Sequence, residues 1–459
     1  MSTGTTDLTA GPREWLGLAV LVLPTLLLAM DATVLYLALP SLSAELRPTA
    51  SELLWITDAY GFLVAGFLVT MGTLGDRIGR RRLLLIGAAA FLATSILAAY
   101  APSPELLILA RGLLGIAGAT LMPSTLALIS NMFRDGRRRG VAIGIWAAGL
   151  SGGVALGPIV GGVLLEWFWW GSVFLAAVPV MVLLLVTGPW LLPEHRDAEA
   201  TKLDLISVVL SLASVLPFVY GVKHLAEHGM DVVGPLALAV GLVTGAVFLR
   251  RQGRLRTPLV DIRLFADRGF RSALLILLIG LACVAGIYLF ATLYLQQELG
   301  LSPLKAGLAL LPSAAAMILT SVLAPALVRR IAVGRVAAGA LLVSALGFAL
   351  LTQVNADTGA VLVVTGMVLI YLGQGPIMAL GTELVVSAAP PERAGSASAL
   401  SETSVEFGLA FGVAVLGSIG LLVQREHSFT AGVAVVAVIG AALSAGLALL
   451  ATRTLKTIS

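Results

Sequence analysis

The side chains with the clearest chemical potential in this sequence are acids placed inside long apolar segments. There are five of them: Asp31, Asp58, Glu383, Glu402 and Glu406. A charged side chain at the centre of a lipid bilayer costs about 2.5–3.5 kcal/mol on insertion scales, so such residues face a cavity and are functional candidates. Arg111 is the one basic residue that we place at a comparable depth. Acids in such positions can carry protons or bind cations.

Two of these acids are four residues apart in the segment SETSVEFG. This spacing places Glu402 and Glu406 on one face of a helix, with their Cβ atoms about 5–6 Å apart. Two carboxylates so close and partly desolvated do not both ionise readily, so we expect at least one to hold a proton near neutral pH. Glu406 lies deeper and is the stronger candidate, whereas Glu402 has the alternative of being solvated near the segment's inner end. Glu383, near the inner end of its own segment, is more typical of a loop anchor than of a ligand.

Asp31 and Asp58 lie toward the outer ends of the first two apolar segments. Together they are predicted to form an acidic site on the outer side. Two alternatives stay open: Asp31 forms a structural ion pair with Arg111, or Asp58 caps its helix end near water.

Membrane-spanning helices have to position these acids. The chain has 459 residues and is 58% hydrophobic, whereas soluble domains are roughly 45–50% apolar even when Gly is counted. Apolar runs of about 20 residues recur from Trp15 to Ala451, each long enough to cross a hydrocarbon core of about 30 Å as a helix. We count fourteen of them. Strands of a membrane barrel alternate every second residue, so these continuous runs predict helices.

Basic residues set the predicted orientation. Of the 29 lysines and arginines, 24 fall in segments on the N-terminal side of the membrane, and the opposite loops hold only Arg47, Lys223, Lys305 and Arg425. This asymmetry predicts that both termini are cytoplasmic. The net charge of +4 therefore reports topology, and we expect no nucleic-acid partner. Cys283 is the only cysteine, so the chain cannot form an internal disulfide.

The segment MGTLGDRIGRRR, residues 71–82, concentrates charge between the second and third apolar runs. Anchoring of a cytoplasmic loop explains its arginines but not its glycines or its acid. Glycines let two helix ends approach closely, and a carboxylate among arginines can hold a neighbouring bundle by charge-assisted hydrogen bonds. We infer a latch that breaks and re-forms as bundles move. Its residues are Gly72, Asp76, Arg77, Gly79, Arg80 and Arg81.

This segment resembles the loop motif between helices 2 and 3 of the major facilitator superfamily of secondary transporters. LILARGLLGIAGA (107–119) is similar to the family's helix 4 motif, with Leu114 in place of the usual Gln. MDATVLYLALP (30–40) resembles the helix 1 motif of the fourteen-helix drug:proton antiporters, with Tyr36 replacing the usual Asn. The helix 5 motif of the family's antiporters is matched by Gly140, Gly144, Gly153, Gly157, Pro158, Gly161 and Gly162.

The resemblance implies an all-α membrane protein with the major facilitator fold: two six-helix bundles plus two extra transmembrane helices. We expect an N-terminal bundle at 1–192, the added helices at 193–250, a cytoplasmic connector at 251–270 and a C-terminal bundle at 271–459, with the substrate site near midplane between the bundles. The segment at 325–335 keeps the basic residues of 71–82 but lacks the acid. The latch is therefore predicted to be asymmetric.

Two interpretations of the fifth helix stay open. Small residues every four positions generally indicate close helix packing. Pro158, however, removes a backbone hydrogen bond and bends the helix, and the resemblance implies a pliable segment that seals or flexes the interface between bundles.

Carboxylates without matching intramembrane lysines predict a cationic substrate that competes with protons. Cation–π attraction of about 0.5–2 kcal/mol per ring would assist binding, although packing is the alternative for each aromatic residue. The candidates are Tyr36, Trp55, Tyr60, Trp146, Tyr288 and Phe411. The scarcity of intramembrane amides and basic residues disfavours sugars and anions as substrates.

We therefore expect a proton-coupled multidrug efflux antiporter, not an enzyme, in a bacterial inner membrane. It would export lipophilic mono- or divalent cations (dyes, quaternary ammonium compounds, biocides) by alternating access, as a monomer in contact with membrane lipid. We expect no cofactor or metal, and the absence of a Gly-rich Lys loop for nucleotides argues against ATP as the energy source. The alternatives are a carrier of another metabolite and a non-transporting receptor of the same fold.

Overall fold

The computed structural model of the protein describes residues 11–133, 135–194, 204–229, 231–255, 258–355, 359–387 and 394–455. Within these ranges, fourteen helical spans are long and apolar enough to cross a membrane, which confirms the predicted number. Sixteen α-helices build them, because α6 and α7 share one span and α14 and α15 share another.

The helices of the first half are α1 (Pro12–Leu46), α2 (Ala50–Ile78), α3 (Arg80–Ala99), α4 (Pro104–Met132), α5 (Gly136–Trp167), α6 (Ser172–Leu175) and α7 (Ala177–Leu191). The two added helices are α8 (Leu205–His228) and α9 (Val233–Gln252). The second half contains α10 (Arg268–Leu293), α11 (Pro303–Val328), α12 (Val333–Leu351), α13 (Ala360–Ser387), α14 (Ala394–Gly412), α15 (Ser418–Glu426) and α16 (Phe429–Thr454). A π-helical turn, Val413–Gly417, joins α14 to α15.

Polar residues mark where these apolar helices begin. At the start of α2, the Thr49 side chain accepts a hydrogen bond from the Glu52 amide, and the Thr49 amide donates to Glu52 Oε2 at 2.7 Å. This capping box satisfies two backbone donors that have no partner within the helix. Pro104 and Pro303 occupy first-turn positions of α4 and α11, where the missing amide hydrogen costs nothing.

The two halves meet along two seams. One is formed by α2 against α14, and the other by α5 against α11. A Cβ atom at Gly61 would lie 2.9 Å from Ala410 Cβ, and one at Gly162 would lie 2.6 Å from Leu304 Cα. Because Gly61 lies in the first half of α2 and Leu304 in the first turn of α11, these contacts fall on the side of the bundle where α2 and α11 begin.

The added helices are not attached symmetrically. α8 and α9 pack against each other, and α8 also packs against α2 and α15. α9 is exposed over most of its surface. The pair therefore lies beside the seam between α2 and the second half, and α8 is the helix of the pair that contacts α2 and α15.

The glycines of α5 serve mainly to pack this helix against α1. A Cβ atom added at Gly153 would meet Leu26 and Ala29. One added at Gly157 would meet Thr33 and Met30, and one added at Gly161 would meet Val34. Only the end of the motif reaches the second half, where Gly162 approaches Leu304 and Gly307 approaches the Pro158 carbonyl. Gly144 faces open space. Close packing thus accounts for most of the motif, while a sealing role is compatible with Pro158 and Gly162.

We expect Gly153→Ala to destabilise the protein. The new Cβ would lie 2.8 Å from Ala29 Cβ and would overlap the Leu26 backbone oxygen, so α1 and α5 must separate at a cost of about 1–3 kcal/mol. The thermal unfolding midpoint of the purified protein measures this effect. Gly144→Ala is the matched control on the same helix and should leave the midpoint unchanged or slightly raised. Equal midpoints for the two variants would contradict the packing described here.

Candidate functional site

A cavity lies between the two halves, and three of the predicted acids reach it. Its empty space measures about 1000 Å³, solvent-open parts included. Its walls come from α1, α2, α4 and α5 on one side and α10, α11, α13 and α14 on the other. The polar lining residues are Asp31, Thr33, Tyr36, Thr57, Asp58, Tyr60, Arg111, Tyr288, Tyr371, Gln374 and Glu406.

Asp31 and Arg111 form an ion pair at the wall of this cavity. Arg111 Nη1 donates to Asp31 Oδ2 at 2.6 Å, and Arg111 Nε donates to the Ile56 carbonyl at 3.0 Å. The guanidinium carbon lies 4.8 Å from the centre of the Tyr60 ring. The arginine thus links α1, α2 and α4. Of the two interpretations of Asp31, the structure contains the ion pair with Arg111. Asp31 nevertheless stays on the cavity wall.

Asp58 is paired with a lysine that the sequence analysis misplaced. Asp58 is buried two turns inside α2, where Lys223 Nζ donates to its Oδ1 at 2.8 Å and neither side chain is exposed. The capping alternative for Asp58 is therefore wrong. So is the expectation that no lysine matches the buried acids, because α8 continues past Lys223 to His228 and turns the ammonium toward α2.

Beyond Lys223, the end of α8 is polar and carries a second pair. His224 Nε2 lies 2.6 Å from Asp231 Oδ2, and the His224 and His228 rings stack with centroids 4.3 Å apart. A hydrogen bond from the Gly234 amide, followed by the contact with His224, lowers the pKa of Asp231 below its ordinary value. Both histidines belong to the last turns of the helix rather than to a loop.

The three glutamates occupy different environments. Glu406 lines the cavity, and no hydrogen-bond or ion-pair partner for it occurs in the part of the chain that the structure describes. Glu402 lies one turn earlier on α14, half-buried and outside the cavity lining. Glu383 is exposed near the end of α13. The structure thus places one of the three glutamates in the cavity lining and the other two outside it.

Only half of the predicted aromatic residues line the cavity. Tyr36, Tyr60 and Tyr288 do so, and the Tyr36 and Tyr288 rings meet edge to face with centroids 5.3 Å apart. Trp146 lies elsewhere, buried between α5 and α4, where its Nε1 donates to Thr125 Oγ1 at 3.2 Å.

Trp55 and Phe411 also lie outside the cavity lining. Lys223 Nζ lies over the face of the Trp55 ring, 3.9 Å from the ring centroid. Phe411 stacks on Phe407 and Phe218, with centroids 5.6 and 6.3 Å away. These two residues and Trp146 thus lie outside the described cavity lining. Packing explains the Phe411 ring, whereas the Trp55 ring faces the ammonium group of Lys223.

Four polar lining residues were missed by sequence reasoning: Thr33, Thr57, Tyr371 and Gln374. Tyr371 and Gln374 lie three residues apart on α13, so they share a face, and that face lines the cavity. Buried polar atoms without a hydrogen-bond partner in the described ranges include Gln374 Nε2, Tyr288 Oη and Asp58 Oδ2. A ligand or water in the cavity would satisfy them. The spacing of an amide and a tyrosine inside an apolar helix was the available signal.

The segment at 71–82 bonds to the first half in this conformation. Arg80 Nε donates to Asp76 Oδ1 at 2.7 Å, and Arg81 Nη1 donates to the carbonyls of Pro189 and Leu192 at 3.1 and 3.0 Å. Arg81 also lies 3.5 Å from Glu194. Asp76 thus bonds to Arg80 within the segment, and Arg81 bonds to the end of α7. The expected grip on the other bundle is not among the contacts that the structure describes for these two residues.

The remaining residues of the segment fit these contacts. Gly79 joins α2 to α3 with φ of 111°, a conformation that favours glycine, and a Cβ there would collide with Glu194. Arg77 is exposed, and Gly72 approaches Pro123 of α4.

Comparisons with known proteins agree with this architecture. The multidrug efflux pump LfrA of Mycolicibacterium smegmatis is 45% identical over 425 residues, which cover 92% of this chain and 84% of LfrA. The methyl viologen resistance protein SmvA of Salmonella typhimurium is 35% identical over 417 residues, covering 91% of this chain and 84% of SmvA. A POT family transporter solved with a thioalcohol-conjugated peptide has a TM-score of 0.71 at 13% identity, covering 95% of this chain and 96% of that one. This last similarity shows the fold alone.

A profile of the Major Facilitator Superfamily matches residues 21–413. The match extends over nearly the whole chain, and the relatives that share this length of sequence are named for efflux and resistance. The chain is thus a transporter and not an enzyme. The fourteen-helix fold, the cavity between its halves and the family match together establish that this protein belongs to the Major Facilitator Superfamily.

Proposed function

We propose that this protein exports lipophilic cations in exchange for protons, as a multidrug efflux antiporter. The observation that carries the proposal is the position of Glu406, an acid without an ion-pair partner in the described part of the chain, on the wall of an apolar cavity between the halves. Such a carboxyl group can hold a proton while the cavity is empty. A bound cation would replace the charge of that proton, so the two would compete for one site.

The cavity chemistry supports cations as substrates. Asp31 and Asp58 add negative charge to its walls, but each has a basic partner, so Glu406 is the acid most free to exchange. The faces of tyrosine rings attract cations by about 0.5–2 kcal/mol each, and Tyr36, Tyr288 and Tyr371 form a continuous aromatic patch. The free Gln374 Nε2 can donate to an acceptor on a ligand.

The named relatives narrow the substrate class. LfrA is named as a multidrug efflux pump and SmvA as a methyl viologen resistance protein. Methyl viologen is a flat aromatic dication, which suits a cavity with several acids and aromatic walls. We infer that the substrates are mono- and divalent lipophilic cations such as dyes, quaternary ammonium compounds and biocides.

The seams between the halves suggest how transport proceeds. We propose that residues 1–192 and 271–459 form the two rocking bundles, that 193–250 form the added helices and that 251–270 connect them. With both termini in the cytoplasm of a bacterium and the carrier in its inner membrane, the seams at the beginnings of α2 and α11 lie outside, so this conformation opens inward. The loop at 71–82, where Arg80 and Arg81 bond to Asp76 and to the end of α7, would bridge the halves when the cytoplasmic side closes. A single chain encloses the cavity, so we propose a monomer.

We expect Glu406→Gln to lower proton-driven export about tenfold or more, because a charge-assisted interaction worth about 1.5–3 kcal/mol is lost. Uptake of ethidium into energised inverted vesicles, whose cytoplasmic face is outward, measures this export, with equal amounts of carrier in each membrane. Glu402→Gln is the matched control, one turn away and outside the cavity, and should retain most of the activity. Wild-type export by the Glu406 variant would exclude the proposed role.

Binding of a cation to the purified carrier should release protons. If the cation and a proton compete for Glu406, the apparent affinity for tetraphenylphosphonium should rise up to about tenfold per pH unit while Glu406 is protonated, and level off above that range. Titration calorimetry in buffers of different ionisation enthalpy measures both the affinity and the protons released. The Glu406→Gln variant should bind more weakly and lose this pH dependence. A wild-type affinity that does not change with pH would refute competition.

A further inference from the structure

The buried pair of Lys223 and Asp58 is not explained by the exchange at Glu406. It joins an added helix to the first half, with Nζ 2.8 Å from Oδ1 and both side chains fully buried. Removing two charges from water is expensive, and well-packed apolar residues of similar volume generally stabilise a protein at least as well as a buried ion pair does. The stability of the fold alone therefore gives little reason to have charges at these two positions.

The two partners face different spaces. Asp58 lines the central cavity, whereas Lys223 lines a small recess on the other side of α2, together with Ser51, Leu54 and Arg425. One turn before the lysine, Val219 is buried in a cluster with Phe62 and Ala410, so α8 covers the seam where α2 meets α14. The ammonium group thus reaches the acid from behind the cavity wall.

Each partner has a second interaction open to it. Asp58 Oδ2 is buried and has no hydrogen-bond partner within the described residues, so one carboxylate oxygen can accept a proton or a cation while Oδ1 stays bonded to the lysine. On the lysine side, the Trp55 ring lies 3.9 Å from Nζ. An aromatic face can hold an ammonium group that has lost its carboxylate.

We infer that Lys223 is the resident cation of Asp58: it keeps this carboxylate ionised in the empty carrier and yields it to an arriving substrate cation, with Trp55 then holding the ammonium group. The added helix α8 is accordingly part of the coupling machinery, with Lys223 as a positioning residue. This inference rests on the proposed exchange of cations and protons, which it deepens by giving Asp58 a role different from that of Glu406.

Other charged groups near Asp58 do not replace the lysine. Asp31 and Arg111 line the same cavity but are bonded to each other, and Glu406 on α14 has the same sign as Asp58. Arg425 on α15 lines the recess behind α2. Lys223 is the basic group that bonds to Asp58 in the part of the chain that the structure describes.

The ionisation of Asp58 can be measured in the empty carrier. Infrared spectroscopy of the purified full-length protein distinguishes a protonated carboxyl group from a carboxylate. We expect K223M to gain the signal of one protonated carboxyl group that wild type and K223R lack, because a lone buried acid takes up a proton. The double variant K223M/D58N should lose that signal again. An unchanged spectrum in K223M would overturn the inference.

A second comparison tests the inference even if K223M does not fold. D58N in the otherwise wild-type chain should lose no protonated carboxyl signal, because Asp58 is ionised there. Loss of such a signal in D58N would show that Asp58 already carries a proton beside the lysine, and would overturn the inference without any use of K223M.

Transport chemistry gives an independent readout. On binding the dication methyl viologen, K223M should release one more proton per carrier than wild type, and K223M/D58N should release the same number as wild type. A wild type that binds methyl viologen without releasing protons would refute the proposed exchange but leave the infrared result standing. Equal proton release by wild type and K223M, with release intact, would refute only the role of Lys223.

Discussion

A charge inside a membrane has to be neutralised by a partner, a proton or a ligand, and this constraint organises the centre of the protein. Asp31 meets Arg111 and Asp58 meets Lys223, each at hydrogen-bond distance. Glu406 lacks such a partner in the described chain, and it is the acid that the second half contributes to the described cavity lining. The cavity therefore has one wall whose charges are internally balanced and an opposite wall whose charge is balanced by what enters. This difference between the halves is compatible with the exchange of cations and protons that we propose.

The constraint on charge is matched by a constraint on packing. A cavity can change shape only if the parts around it move as units, and the glycines of α5 help to make such a unit. By packing against Leu26, Met30 and Val34, they hold α5 to α1 within the first half. Among the motif residues whose close approaches are described, Pro158 and Gly162 meet α11. The motif thus divides one helix into a long part that belongs to its own half and a short end that touches the other.

Much of this architecture could be predicted from the sequence because lipid imposes simple rules. The fourteen spans follow from apolar runs, and three cavity acids follow from the cost of burying charge. Three of the six predicted aromatic residues line the cavity between the halves. Trp146 and Phe411 do not, because an apolar helix gives no sign of which face meets a cavity and which meets a neighbouring helix. Lys223 was assigned to a loop since a lysine near the end of a span is usually solvated, and its partner lies 165 residues away in sequence. Such a long-range pairing has no local signature.

The position of α8 over the seam between α2 and α14 bears on how carriers with fourteen helices relate to shorter ones. Excising residues 193–250 would not restore a simpler transporter, because it would strip the neutralising group from behind position 58 and open the Trp55 side to lipid. A viable twelve-helix descendant would have to change the acid at the same time. If the inferred role of Lys223 holds, α8 and the carboxylate of Asp58 form one functional unit, and we expect related carriers to keep or lose them together.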